Sequence, residues 1–184
     1  MNKILKNLFL LTILLFSYTS ISTAQSSPSA RAEKAKAYFG DDMLTDQDGK
    51  NHKFYSDLLA GKVALINFIY TQQLNQVKQK LGDRFGKTIY FLSLSTDSQH
   101  DKPDQLKAFV QKHKVDHAGW RFLTGQPEII AKILKKFGQF QKNPADHSTL
   151  LLAGNASSGH WKKIRPDTPP DAIALQLEEL ANEK

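Results

Sequence analysis

The sequence predicts one α/β domain: a central mixed sheet flanked by helices, with a β-hairpin at its N-terminal end. Three observations carry this reading. Residues 62–70 (KVALINFIY) are almost all apolar, and many are β-branched or aromatic, as in a strand covered on both faces. Apolar residues recur at helical spacing in segments that alternate with such strands. The 184 residues, 40% hydrophobic and 10% aromatic, can fill one core and leave no room for a second domain.

The first 24 residues read as a signal peptide. Lys3 and Lys6 supply positive charge, residues 8–16 (LFLLTILLF) are a compact apolar stretch, and Ser22-Thr23-Ala24 is a small-x-small cleavage site. Such an apolar stretch falls well short of the roughly 20 residues that span a bilayer. Cleavage near Ala24/Gln25 is therefore expected, giving a periplasmic or secreted protein with no transmembrane span. An uncleaved membrane anchor is the alternative. With no cysteine beside the site, lipid attachment is excluded. Residues 25–37 are polar and rich in Ser and Ala, so they read as a flexible tether, with the domain occupying residues 38–184.

Within the domain, residues 43–45 and 53–55 flank Asp46-Gln47-Asp48-Gly49-Lys50-Asn51, which reads as a hairpin turn. Asp46 and Asp48 do not make a calcium loop, because an EF-hand needs Gly at its sixth position and Glu at its twelfth. After the apolar strand, Leu74, Val77 and Leu81 recur at helical spacing, and residues 88–95 (TIYFLSLS) form a second strand. Pro103 opens a helix whose Leu106, Phe109 and Val110 share one face, and residues 120–123 form a short extended piece. Pro127 opens another helix, striped by Ile130, Ile133, Leu134 and Phe137 and stopped at Gly138. Residues 148–153 and 160–164 make a second hairpin. Thr168, with Pro169 and Asp171, caps a last helix carrying Ile173, Leu177 and Leu180. A β-α-β unit followed by a β-β-α unit is the layout of a thioredoxin-like fold.

Composition excludes whole classes of chemistry. The chain has no cysteine, hence no disulfide, thiol nucleophile, CxxC redox pair or cysteine-based metal site. Its formal net charge of +7, which falls to +5 once Lys3 and Lys6 are removed, comes from lysines spread over several helices. No basic stripe with interleaved aromatics marks a nucleic-acid partner. His113 and His117 straddle a predicted helix end and read as an exposed polar pair rather than metal ligands. His52, His100 and His160 read as isolated and solvated. Asn155-Ala156-Ser157 satisfies the glycosylation sequon without implying its use.

Five segments resemble the Sco/SenC family in order and spacing: LTDQDGK (44–50), GKVALINFIYT (61–71), LGDRFGKTIYFLSLSTD (81–97), GWRFLTGQPEII (119–130) and DHSTLLLAGN (146–155). The resemblance runs from about Gly40 to Leu180 and implies a thioredoxin-like fold. It also implies a Cys-x-x-x-Cys-Pro motif after the first central strand and a His before the late strand. In the family these bind copper, and the family is associated with delivering copper to, or reducing the thiols of, the dinuclear copper site of cytochrome c oxidase. Soft thiolate and imidazole donors suit that metal.

This sequence departs from the pattern. Aligned without a gap, the two cysteine positions fall on Gln73 and Val77. In the preferred alignment Thr71-Gln72 runs straight into Leu74-Asn75-Gln76-Val77, and the metal loop is excised. His147 matches the family's histidine and is the residual copper ligand at most, so copper binding is expected to be weak or absent. Asp146, His147 and Ser148 are not a hydrolase triad, since triads assemble from separate segments.

The expectation is a non-enzymatic, cysteine-less copper chaperone homologue. It would act as a binding or assembly factor with a protein partner in the cell envelope, accessory to copper delivery for cytochrome c oxidase. The alternative is a weak copper chaperone using His147 and partner-supplied ligands.

Overall fold

The apolar run becomes strand β3 (Val63–Asn67), with all five residues buried. The structure is a computed structural model that describes residues 27–68, 72–141 and 150–183. Strand β3 follows the hairpin of β1 (Met43–Asp46) and β2 (Asn51–Lys53). After it come β4 (Ile89–Leu94), β5 (Trp120–Thr124), β6 (Leu151–Asn155) and β7 (His160–Ile164). The helices are α1 (Pro28–Phe39), α2 (Gln73–Leu81), α3 (Pro103–His113), α4 (Pro127–Lys136) and α5 (Pro170–Asn182). The strands form one sheet in the order β2-β1-β5-β4-β3-β6-β7. Parallel β3, β4 and β5 are joined by the α2 and α3 crossovers that parallel pairing requires. Strand β6 runs antiparallel to β3, β7 to β6, and β1 to both β2 and β5. This is the thioredoxin-like layout, with the N-terminal hairpin added beyond β5.

The pleat of β3 divides the core into two. Val63 and Leu65 face a cluster closed by Leu74 and Val77 of α2, Val110 of α3 and Leu177 of α5. Ala64 and Ile66 face the opposite cluster, closed by Phe39 of α1 and Ile133 of α4. Strand β6 is buried throughout like β3, since it too lies inside the sheet. Its Gly154 pairs with Trp161, whose indole lies so close that a Cβ at residue 154 would come within 2.1 Å of Cδ2. Only glycine fits there.

Three expectations are corrected. Residues 28–39 form a docked helix where a flexible tether was expected. The Ser27 hydroxyl accepts the Ala30 N–H, Pro28 sits in the first turn, and Gly40 ends the helix at φ 76°. Phe39 then packs on Phe54, Phe137 and Trp161, with Trp161 4.7 Å away between ring centres. Alanine's helix propensity and one buried aromatic outweigh a polar composition.

The first hairpin stops at Lys53 rather than residue 55. Phe54, Tyr55, Leu58 and Leu59 are all buried, a pattern at spacing four that a strand cannot satisfy, and residues 54–59 form a π-helical turn. Thr168 does not cap α5. Pro169 holds the cap position without a side-chain bond, while the Thr168 carbonyl accepts the Gln73 side-chain amide.

Ile66 is 1% exposed, so Ile66→Ala should cost about 2–5 kcal/mol through lost burial and an unfilled cavity. The exposed Lys112→Ala should stay within about 0.5 kcal/mol. Denaturant melts compare them; equal small losses would show that β3 is not the centre of the core.

Candidate functional site

In open α/β sheets, ligands gather beyond the carboxyl ends of the parallel strands. Here β3 ends at Asn67, five residues intervene, and α2 begins at Gln73. Residues 69–71 lie outside the described residues, as do residues 142–149 before β6, which include Asp146, His147 and Ser148. The site is therefore built from its described floor and rim.

The floor is a buried polar relay. Trp120 Nε1 donates to Ser93 Oγ at 2.8 Å, and the Ser93 hydroxyl donates to Asn67 Oδ1 at 2.8 Å. Asn67 is fully buried at the last position of β3, in register with Ser93 on β4. Edge-on Phe91 and stacked Phe122 hold Trp120, with ring centres 5.2 and 5.5 Å away. Sequence reading missed this relay. Its signal was two polar residues, Asn67 and Ser93, inside runs with no other reason to be polar.

The rim mixes amides and hydroxyls with charged groups. Gln72, Asn75 and Gln76 at the start of α2 face Lys112, His113 and Lys114 across a hollow of about 360 Å³. Ser95 Oγ donates to Asp101 Oδ2 at 2.6 Å and accepts the Asp97 N–H at 3.1 Å. Gln73 is tied to the Thr168 carbonyl, so it links α2 to the turn before α5. Such a bond contributes about 0.5–1.5 kcal/mol. Val77 is fully buried on the core face of α2, so the ungapped alignment places its second cysteine position inside the core.

Among the described residues, no three His, Asp or Glu side chains gather to hold a metal. Among the described residues, the donors at this rim are amides, hydroxyls, ammonium groups and the single imidazole of His113, with no sulfur. They do not fit copper, which the family's soft thiolates suit.

The histidines are better partnered than expected. His52 is buried with Nε2 2.8 Å from Asp46 Oδ2, His100 Nδ1 lies 2.8 Å from Asp97, and His160 Nδ1 lies 2.6 Å from Glu183. His113 packs on Phe109, while His117 packs on Phe85 and accepts the Gly119 N–H at Nδ1. They serve separate local contacts.

Ser158 donates to Glu183 at 2.7 Å beside His160, which places a hydroxyl, a carboxylate and an imidazole together. The carboxylate stands between the other two, so the imidazole has no hydrogen bond through which to take the serine proton. This cluster fastens the end of α5 to the β6–β7 turn. Asn155 does the same from within: it is buried, and its Nδ2 donates to the Leu180 carbonyl at 2.8 Å, which closes the sequon to modification in the folded chain.

The SCO1/SenC family model matches residues 30–182. The SCO1 protein homolog of Bacillus subtilis (strain 168) is 34% identical over 118 residues, covering 58% of this chain and 60% of that relative. The match thus spans about three fifths of the relative's length. Among solved structures, BsSco, a member of the Sco family of cytochrome c oxidase assembly proteins with a disulfide switch, superposes at a TM-score of 0.66. It is 26% identical over 79% of this chain and 94% of its own. A SCO1/SenC family lipoprotein from Bacillus anthracis str. Ames is 30% identical, at a TM-score of 0.64, over 78% of this chain and 95% of its own.

The strongest buried charge lies at the hairpin turn. Asp46 is 1% exposed; its Oδ1 accepts the Asp48 and Lys50 N–H groups at 3.0 Å, and its Oδ2 faces His52. Arg121 Nε stands 3.8 Å away. Burial alone raises the pKa of Asp46, but hydrogen bonds from His52 and the two turn N–H groups outweigh it and hold the pKa below the ordinary carboxylate value. The group therefore adds stability that is complete above about pH 5 and is lost as pH falls through its folded pKa. In urea melts, the stability gap between wild type and Asp46→Asn should be widest near neutrality and close toward pH 2. A gap that does not change with pH would contradict this.

Proposed function

The chain belongs to the SCO1/SenC family, and from that membership we propose that it is an exported assembly factor of the cell envelope that works by docking a protein partner. The family is linked to cytochrome c oxidase assembly and to copper binding. One observation carries the departure from that chemistry: a complete thioredoxin-like scaffold in a chain with no cysteine. A disulfide switch like that of BsSco needs two thiols, and a copper site built on cysteine thiolates needs them too. Neither is available. What the scaffold retains is a buried Asn67–Ser93–Trp120 relay inside the sheet and, at the start of α2, exposed Gln72 and Gln76 beside exposed Lys112 and Lys114, groups that can hydrogen-bond to a partner. The protein is accessory to copper delivery rather than a carrier, and it is not an enzyme.

Competition for Cu(I) tests this reading. The mature domain should leave the metal with a strong chelator, and His147→Ala should change nothing. Stoichiometric copper held by the wild type and lost in His147→Ala would overturn it, in favour of a chaperone that uses His147 with a partner's ligands.

Export is part of the same proposal. It is supported by the Lys3/Lys6 start, the apolar stretch and the Ser22-Thr23-Ala24 site; among the described residues, no helix is long and apolar enough to cross a membrane. Intact-mass measurement on the envelope fraction should find a chain beginning at Gln25. A full-length chain held in the membrane would mean that the apolar stretch serves as an anchor.

A further inference from the structure

On the sheet face covered by α1 and α4, a cleft of about 720 Å³ opens between α1, the end of α4 and the β6–β7 hairpin. Its volume is that of a small-molecule site. Phe39, Phe137, Leu152 and Trp161 give it an apolar lining. Six cationic side chains and, among the described residues, no carboxylate surround that lining: Arg31 and Lys34 from α1, Lys135 and Lys136 from α4, Lys162 and Lys163 from β7.

Several of these cations are already engaged. Lys136 donates to the Tyr38 and Phe39 carbonyls, Lys135 lies over the Phe140 ring, and Lys162 is 3.7 Å from Glu179. Lys34 and Lys163 are exposed and have no partner among the described residues. They stand on opposite walls, one on α1 and one on β7. The aromatic lining carries a second unmet demand: the indole Nε1 of Trp161 is buried and has no acceptor among the described residues. Buried donors are ordinarily satisfied. A wall with an apolar body, two spare ammonium groups, an unmet N–H and no carboxylate calls for a ligand that brings hydrocarbon and anionic oxygen together.

We propose that this cleft binds a small amphipathic anion, a medium-chain carboxylate whose hydrocarbon lies on Phe39 and Trp161 and whose head group is held by Lys34 and Lys163. The concave shape favours a discrete molecule over a membrane face, which would present its cations on an exposed amphipathic surface. The site is separate from the amide-lined end of β3 and does not depend on the partner-docking reading.

Decanoate, kept below its micelle-forming concentration, is the probe, and calorimetric titration is the readout. Tryptophan emission gives a second signal, since Trp120 is sealed in the core and Trp161 lines the cleft. Saturable binding near one equivalent is expected. It should weaken at least tenfold in the Lys34→Glu/Lys163→Glu double variant, whose surface changes leave the fold intact by thermal melting. Decanol should bind at least tenfold more weakly than decanoate, and acetate should not saturate. The proposal is overturned if decanoate shows no saturable binding, if decanol binds equally well, or if the double variant binds like the wild type. Capture by anionic vesicles without decanoate binding would also overturn it, because the basic rim would then be a membrane-facing surface.

Discussion

Burial of β3 on both faces is the constraint from which the rest of the molecule follows. A strand with no polar face needs a helical layer on each side, and the chain supplies α2, α3 and α5 to one and α1 and α4 to the other. Parallel pairing of β3 with β4 and of β4 with β5 requires crossovers, which α2 and α3 provide. The antiparallel hairpin of β6 and β7 then closes the other flank of β3.

A core of this kind penalises buried polar groups that are left unpaired, by about 1–3 kcal/mol each. The Trp120–Ser93–Asn67 relay avoids that penalty and ties β5, β4 and β3 together at the end where the site lies. Asp46 avoids it at the hairpin turn, where two backbone N–H groups and His52 surround one carboxylate. Both sets are built from groups that do not change oxidation state. The scaffold therefore has no structural need of the thiols that its relatives use for chemistry.

The strands and most helices were legible because their signals are local and repeated: the run around Ile66, the spacing of Leu74, Val77 and Leu81, and the Pro103 and Pro127 helix starts. Helix α1 was not. Its 12 residues are alanines interspersed with charged groups and show no apolar stripe, and what fixes it is Phe39 reaching four aromatic rings from distant segments. His52, read as solvated, is buried for a similar reason: its partner Asp46 sits six residues away across a turn whose closure brings them together. At the site, the missing thiols could be read from composition alone, whereas the relay required knowing which strands are neighbours. The basic cleft was equally hidden, since its cations come from three separate elements and only their meeting gives them meaning.

A scaffold without thiols should be stable in its own right and owe nothing to a resident copper ion. Thermal unfolding of the mature domain with and without a small excess of Cu(I) tests this most directly. A ligand present at 100 times its Kd stabilises the native state by about 2.7 kcal/mol. For a domain of this size that raises Tm by roughly 2–4 °C per kcal/mol. The midpoint should be the same, within about a degree, in both samples; a rise of several degrees that saturates at one equivalent would show that the native fold keeps a copper site after all.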